Sequence, residues 1–143
     1  MNSNIMNSLS AEIVDTAVKV HRELGPGLME SIYQQCMMWE LGDRGIPFNS
    51  QVRVPILYRG AKIEAGLCLN LLVDDTIIVE LKSVAQVLEV HDAQILTYLR
   101  IAKKPLGLLF NFNVRLMNFG IKRFNNSPLS ERPIEIRQLS VRA

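Results

Sequence analysis

The sequence predicts an α+β domain, a mixed β-sheet flanked by helices. Three observations carry that expectation. First, Gly66–Ser83, GLCLNLLVDDTIIVELKS, reads as two strands rich in Leu, Ile and Val around the acidic turn Asp74-Asp75-Thr76. Second, two segments ahead of it repeat apolar residues at helical spacing. Third, a further helical segment is followed by the unbroken apolar run Leu106–Phe110, as expected of a strand buried on both faces. Strand, helix, strand in that order implies a parallel, right-handed crossover.

In chain order, residues 1–9 are polar and expected to fray. Ser10 is placed to cap the first helix, whose stripe is Ile13, Ala17, Val20 and Leu24. His21 lies beside that stripe, where a partly buried structural histidine is the expectation. Gly25 and Pro26 stop the helix. A second helix is expected from about Leu28–Glu30 to Arg44, with Gly45 at its end and Glu30, Tyr33 and Met37 on one face. Phe48–Tyr58 is the first strand, and Pro55 argues for an edge position or a bulge. Arg59-Gly60 turns the chain, and the next strand can begin as early as Lys62. After the central hairpin, a helix is expected over Glu89–Ala102, with Gln94 and Tyr98 on one face. Asn111–Leu116 reads as a loop and Asn118–Phe124 as an edge strand. Residues 125–143 read as a tail in which Pro133–Leu139 alternates like a strand.

The 143 residues suit one domain. Apolar content of 48% against 21% charged is a globular balance. No apolar run approaches the roughly 18 residues of a membrane span, and MNSNIMNSLS lacks the basic-then-apolar order of a signal peptide. Cys36 and Cys68 sit far apart in apolar surroundings and are expected to be buried free thiols. A cytoplasmic protein without a membrane partner is the resulting expectation. Net charge is +2 but uneven: residues 1–99 carry seven Lys/Arg and twelve Asp/Glu, whereas residues 100–143 carry nine and two. The basic C-terminal part, including Arg100, Lys103, Lys122 and Arg123, is the natural candidate to meet phosphates, against the plainer reading of a solvated basic face and tail.

The central hairpin gathers the candidate chemistry. With Asp74–Thr76 as the loop, Asn70 falls opposite Glu80. Strand alternation puts Leu69, Leu71, Val73, Ile77, Val79 and Leu81 on one face and Asn70, Leu72, Ile78, Glu80 and Lys82 on the other. An amide, a carboxylate and an ammonium thus share one side of a largely apolar sheet, where they are costly to bury without a task or a partner. The plainer alternative is a sheet rim carrying an ordinary Glu–Lys pair.

Four pieces, in order, carry a family resemblance: Val20–Leu28 running into Gly27-x-x-Glu30-x-x-Tyr33; Glu80-Leu81-Lys82; His91–Leu99; and Gly107-Leu108-Leu109 with Asn111-Phe112-Asn113. Over roughly residues 10–124 the chain resembles the GxxExxY family of the PD-(D/E)XK nuclease superfamily. The resemblance implies a single restriction-endonuclease-like αβββαβ domain over 10–124 that hydrolyses DNA phosphodiesters with Mg²⁺, or Mn²⁺ in its place. It implies catalytic or supporting roles for Glu30, Glu80, Lys82, Gln94 and Tyr98, and metal contacts from residue 70, Glu80, the Leu81 carbonyl and Glu30. A homodimer is left open.

One position departs from the family pattern: Asn70 stands where the first acid, an aspartate, belongs. Mg²⁺ favours anionic oxygen ligands in near-octahedral geometry, and Asn offers one neutral carbonyl oxygen. Asp74 and Asp75 lie about 13–16 Å further along an extended strand, too far to substitute. Three functions stay in view: a metal-dependent nuclease impaired or inactivated at Asn70, a nuclease-fold protein that binds nucleic acid without cutting, and a protein-interaction module that kept only the scaffold.

Overall fold

A computed structural model of the chain describes residues 1–126. The expectation for Pro133–Leu139 lies outside the described residues. Helices α1 (Ser3–Leu24) and α2 (Glu30–Asp43) precede strands β1 (Phe48–Tyr58), β2 (Ala61–Val73) and β3 (Ile77–Lys82). Helix α3 (Glu89–Ala102), β4 (Leu106–Asn111), a 3₁₀ turn (Met117–Gly120) and β5 (Ile121–Asn125) follow. The strands form one sheet in the order β1-β2-β3-β4-β5. Among the described residues only β3 and β4 pair in parallel, as a helical crossover requires; the other neighbours are antiparallel hairpins or close returns. This is a mixed sheet with three helices, an α+β fold of the restriction-endonuclease-like kind.

Helix α1 starts earlier than Ser10. Asn2 caps it by accepting from the Ile5 N–H at 2.9 Å, while Ser10 is internal and buried. Residues 3–9 therefore belong to the helix rather than to a frayed end. They contain neither Gly nor Pro, and Met6 and Leu9 extend the apolar stripe onto the core. Proline in β1 is tolerated because β1 is the outermost strand and its register with β2 shifts between Val54 and Ile56. The β2–β3 turn places Asp74 and Asp75 at φ of 51° and 53°, the left-handed region that Asp tolerates better than most residues, and the Thr76 N–H closes on the Val73 carbonyl at 3.0 Å. It pairs Val73 with Ile77.

The two sheet faces differ. Leu71, Val73, Ile77, Val79 and Leu81 join Phe110 against α1 and α2. Leu72 and Ile78 face the other way and pack with Leu99 of α3. Leu69, which strand alternation groups with Leu71, packs in that second cluster. The alternation is disturbed at the level of Asn70 and Gln51. Ser50 pairs with Leu71 and Val52 with Leu69, the residues between them leave the ladder, and Gln51 has φ 48°. Cys68, one residue further out, is exposed, not buried, because the outer half of β2 pairs with β1 and extends beyond the stretch that β3 covers.

Candidate active site

Glu80 is carried inward by β3, the middle strand of the sheet, and is 6% exposed. The β2–β3 ladder runs through Leu71↔Val79. Beyond that pair two side chains take over. The Asn70 N–H donates to Glu80 Oε1 at 3.3 Å, and the Leu81 N–H donates to Asn70 Oδ1 at 2.9 Å. The strands part here, and the gap is bridged by the two residues that the hairpin register sets opposite each other.

Burial pushes the Glu80 carboxyl up from 4.5 to about 7, against the opposing pull of the Asn70 N–H and of the nearby Lys82 cation; the Glu30 carboxylate adds to the rise. The Glu80 carboxyl therefore lies within electrostatic reach of both Lys82 and Glu30. Tyr98 belongs to the same constellation. Its hydroxyl accepts from Gln94 Nε2 at 2.8 Å, and burial, followed by the Glu80 charge, holds its pKa above the ordinary tyrosine range. Gln94 and Tyr98 share a face of α3, as their spacing predicts.

Glu30 opens α2, and the preceding turn fixes its place. Gly25 and Gly27 have φ of 71° and 97°, where side-chain-bearing residues are strained. The Tyr33 hydroxyl donates to the Gly25 carbonyl at 2.6 Å and accepts from the Leu28 N–H at 3.2 Å. Its ring stacks on buried Phe112 with centroids 4.3 Å apart. Ser83 Oγ donates to the Leu28 carbonyl at 2.6 Å. The Gly27-x-x-Glu30-x-x-Tyr33 spacing thus has a mechanical sense: Tyr33 anchors the turn that delivers Glu30 beside the end of β3.

Other partners carried no recognisable signal. Asn111 is buried, accepts from the Val84 and Asn113 N–H groups at 3.1 and 3.2 Å, and donates to the Val84 carbonyl at 3.0 Å. It ties the segment after Lys82 to the end of β4. The predicted basic residues do not form one group. Lys122 pairs with Asp92 of α3 at 3.0 Å, whereas Arg123 binds Ser10 Oγ and Asn7 Oδ1 of α1 at 3.0 and 2.8 Å. Adjacent strand residues point to opposite faces, so one groove cannot take both. Arg100 and Lys103 are exposed at the C-terminal end of α3.

The donor set does not fit a Mg²⁺ ion. Among the described residues no three His, Cys, Asp or Glu side chains converge, so the anionic oxygens here would have to come from one or two carboxylates. Asn70 Oδ1 is directed at the Leu81 N–H, which requires an acceptor, so the other arm of the amide is the NH₂ group. That nitrogen is a donor with no lone pair to offer a cation. An aspartate in the same pose would keep the Leu81 bond and present a second, anionic oxygen. Asp75 is engaged by Lys104 at 3.0 Å, out in the hairpin turn.

A family model described as the PD-(D/E)XK nuclease superfamily matches residues 7–124, which includes every residue of this constellation. No curated protein and no solved structure matches the chain significantly.

Proposed function

We propose that this chain, which belongs to the PD-(D/E)XK nuclease superfamily, engages the phosphodiester backbone of DNA on a nuclease scaffold whose hydrolytic centre is disabled at Asn70. The Leu81 N–H bond to Asn70 Oδ1 carries this reading, because it turns the amide NH₂ toward the place of the missing anionic oxygen. The rest of the constellation supports it. Glu80 is the remaining strand acid. Lys82 supplies positive charge where a phosphate would accumulate negative charge. Tyr98 and Gln94 offer hydroxyl and amide donors to a backbone phosphate, and Glu30 supports from the start of α2. The Gly27-x-x-Glu30-x-x-Tyr33 spacing supports the narrower GxxExxY assignment.

The test is cleavage of plasmid, linear and single-stranded DNA with Mg²⁺ and with Mn²⁺. The chain as given is expected to leave all three intact. Asn70→Asp is expected to cut, and Glu80→Ala in that background to abolish cutting again. Brisk metal-dependent cleavage by the unaltered chain, unchanged by Asn70→Asp, would assign the first-acid role to another residue.

A further inference from the structure

The loop Asn113–Gly120 is held at several points. Before it, the Phe112 N–H donates to the Lys82 carbonyl at 2.9 Å. At its start Asn111 receives the Asn113 N–H. In its middle, His21 Nε2 lies 2.7 Å from the Val114 carbonyl; a carbonyl only accepts, so Nε2 carries the hydrogen. At its end Gly120 lies so close to the Asn111 carbonyl that any side chain there would collide with it. The fixed loop holds Arg115 out beside Arg22 at the end of α1.

Arg22, Arg115, His21 and Asn118 line a pocket of about 460 Å³ with no carboxylate among the described residues of its wall. Neither arginine forms an ion pair among the described residues. A second pocket, of about 550 Å³, is lined by Gly27, Glu30, Ser83 and Asn113. The same two segments wall both pockets: Pro26 leads into Gly27, and Asn113 leads toward Arg115. The two are therefore neighbours along those segments, one lined by Glu30 and the other by the arginines. Next to Asn118, Phe119 is 71% exposed. Paired guanidiniums recognise phosphate oxygens, and an exposed ring offers a stacking face to an unpaired base. In a duplex the bases already stack on one another.

We propose that Arg22 and Arg115 clamp backbone phosphates of a single-stranded nucleic-acid segment that runs from this pocket toward Glu30, with Phe119 stacking a base. The proposal rests on the nucleic-acid reading of the site and names the path of the strand. It replaces Lys122 and Arg123, which face opposite sides of the sheet, with two arginines that share one pocket.

The test is fluorescence anisotropy of labelled oligothymidine and of a matched duplex with the full chain over a salt series. Arg22→Ala/Arg115→Ala is expected to weaken oligothymidine binding at least tenfold. Its log–log salt slope should fall by about 1.4, roughly 0.7 for each lost single-strand phosphate contact. Arg22→Lys/Arg115→Lys should retain most of the slope, showing that charge rather than folding is responsible. Phe119→Ala should weaken oligothymidine more than duplex. If the unaltered chain binds and the double alanine variant binds equally well, the clamp is overturned and the wider nucleic-acid reading stands. If no oligonucleotide binds while inorganic phosphate raises the melting temperature in an arginine-dependent way, the pocket serves a free anion, and both the strand proposal and the nucleic-acid reading fall.

Discussion

One strand, β3, serves two different faces. Ile77, Val79 and Leu81 join the α1–α2 side, where Tyr33, Met37, Leu41 and the strand residues form a wide apolar cluster. Ile78, Glu80 and Lys82 alternate with them and face α3, where the packed cluster is Leu69, Leu72, Ile78 and Leu99. The first face is built for burial. The second gives up apolar area to hold a carboxylate, an ammonium and a tyrosine hydroxyl near one another. Stability and chemistry are thus separated by the pleat of the strand, with neighbouring residues contributing to each.

The largest effect expected from this contrast lies on the apolar face. Phe112→Ala removes a fully buried ring stacked on Tyr33. It should destabilise the fold by about 3–5 kcal/mol, with little change between pH 5 and 9. Urea unfolding at several pH values measures this. A loss below about 1 kcal/mol would mean that the α1–α2 face is not the main source of stability.

Glu80 should behave in the opposite sense. Its folded pKa is raised from 4.5 to about 7, so the folded chain keeps a proton that the unfolded chain releases. Its contribution is fully present below pH 4.5 and is lost as pH rises through 7. The charged form then costs about 3 kcal/mol, at roughly 1.4 kcal/mol per pKa unit. Glu80→Gln keeps an acceptor for the Asn70 N–H and cannot ionise. Its stability relative to the parent should therefore grow between pH 4.5 and 8. A flat difference across that range would show that burial does not govern this carboxyl.

Asn70→Asp sharpens the same contrast through a ligand. Without metal, a second carboxylate beside Glu80 should lower the melting temperature above neutral pH by like-charge repulsion. With Mg²⁺ at about ten times its Kd, binding should return about 1.4 kcal/mol, reversed by EDTA. The parent chain should show no comparable Mg²⁺ effect. An equal Mg²⁺-dependent rise in both proteins would place the metal elsewhere.

Much of this arrangement is legible in the sequence, for reasons local to the chain. The Asp74-Asp75 turn sets the hairpin register, so Asn70 can be counted opposite Glu80. The periodicity of α3 gives Glu89–Ala102 and the Gln94–Tyr98 pair. The long-range pieces are not legible. Ser83 meets Leu28 and Asn111 meets Val84 through backbone groups far away in sequence, and neither bond leaves a spacing pattern. Asn2 displaced Ser10 as the cap because packing of Met6 and Leu9 extends the helix beyond what local polarity suggests. The pairing of Arg22 with Arg115 in one pocket depends on the fold bringing the end of α1 to the β4–β5 loop.

The smallest effects belong to the edge strand β5, where the two faces meet in consecutive residues. Lys122 faces α3 and pairs with Asp92, with side chains 45% and 26% exposed. Such a pair gains little after screening and the entropy of ordering a long side chain, so Lys122→Met should change stability by less than about 1 kcal/mol. The change should shrink further at high salt. Arg123 faces α1, where it donates to Asn7 Oδ1 and to the Oγ of buried Ser10. Ser10 Oγ still donates to the Asn7 carbonyl at 3.0 Å, so Arg123→Met removes bonds without stranding a buried donor. A loss of about 1 kcal/mol, less sensitive to salt, is expected. Matched chemical denaturation of the two variants at low and high salt therefore compares the faces directly. Equal losses with equal salt dependence would show that, at the sheet edge, the division between a packed face and a polar one has ended.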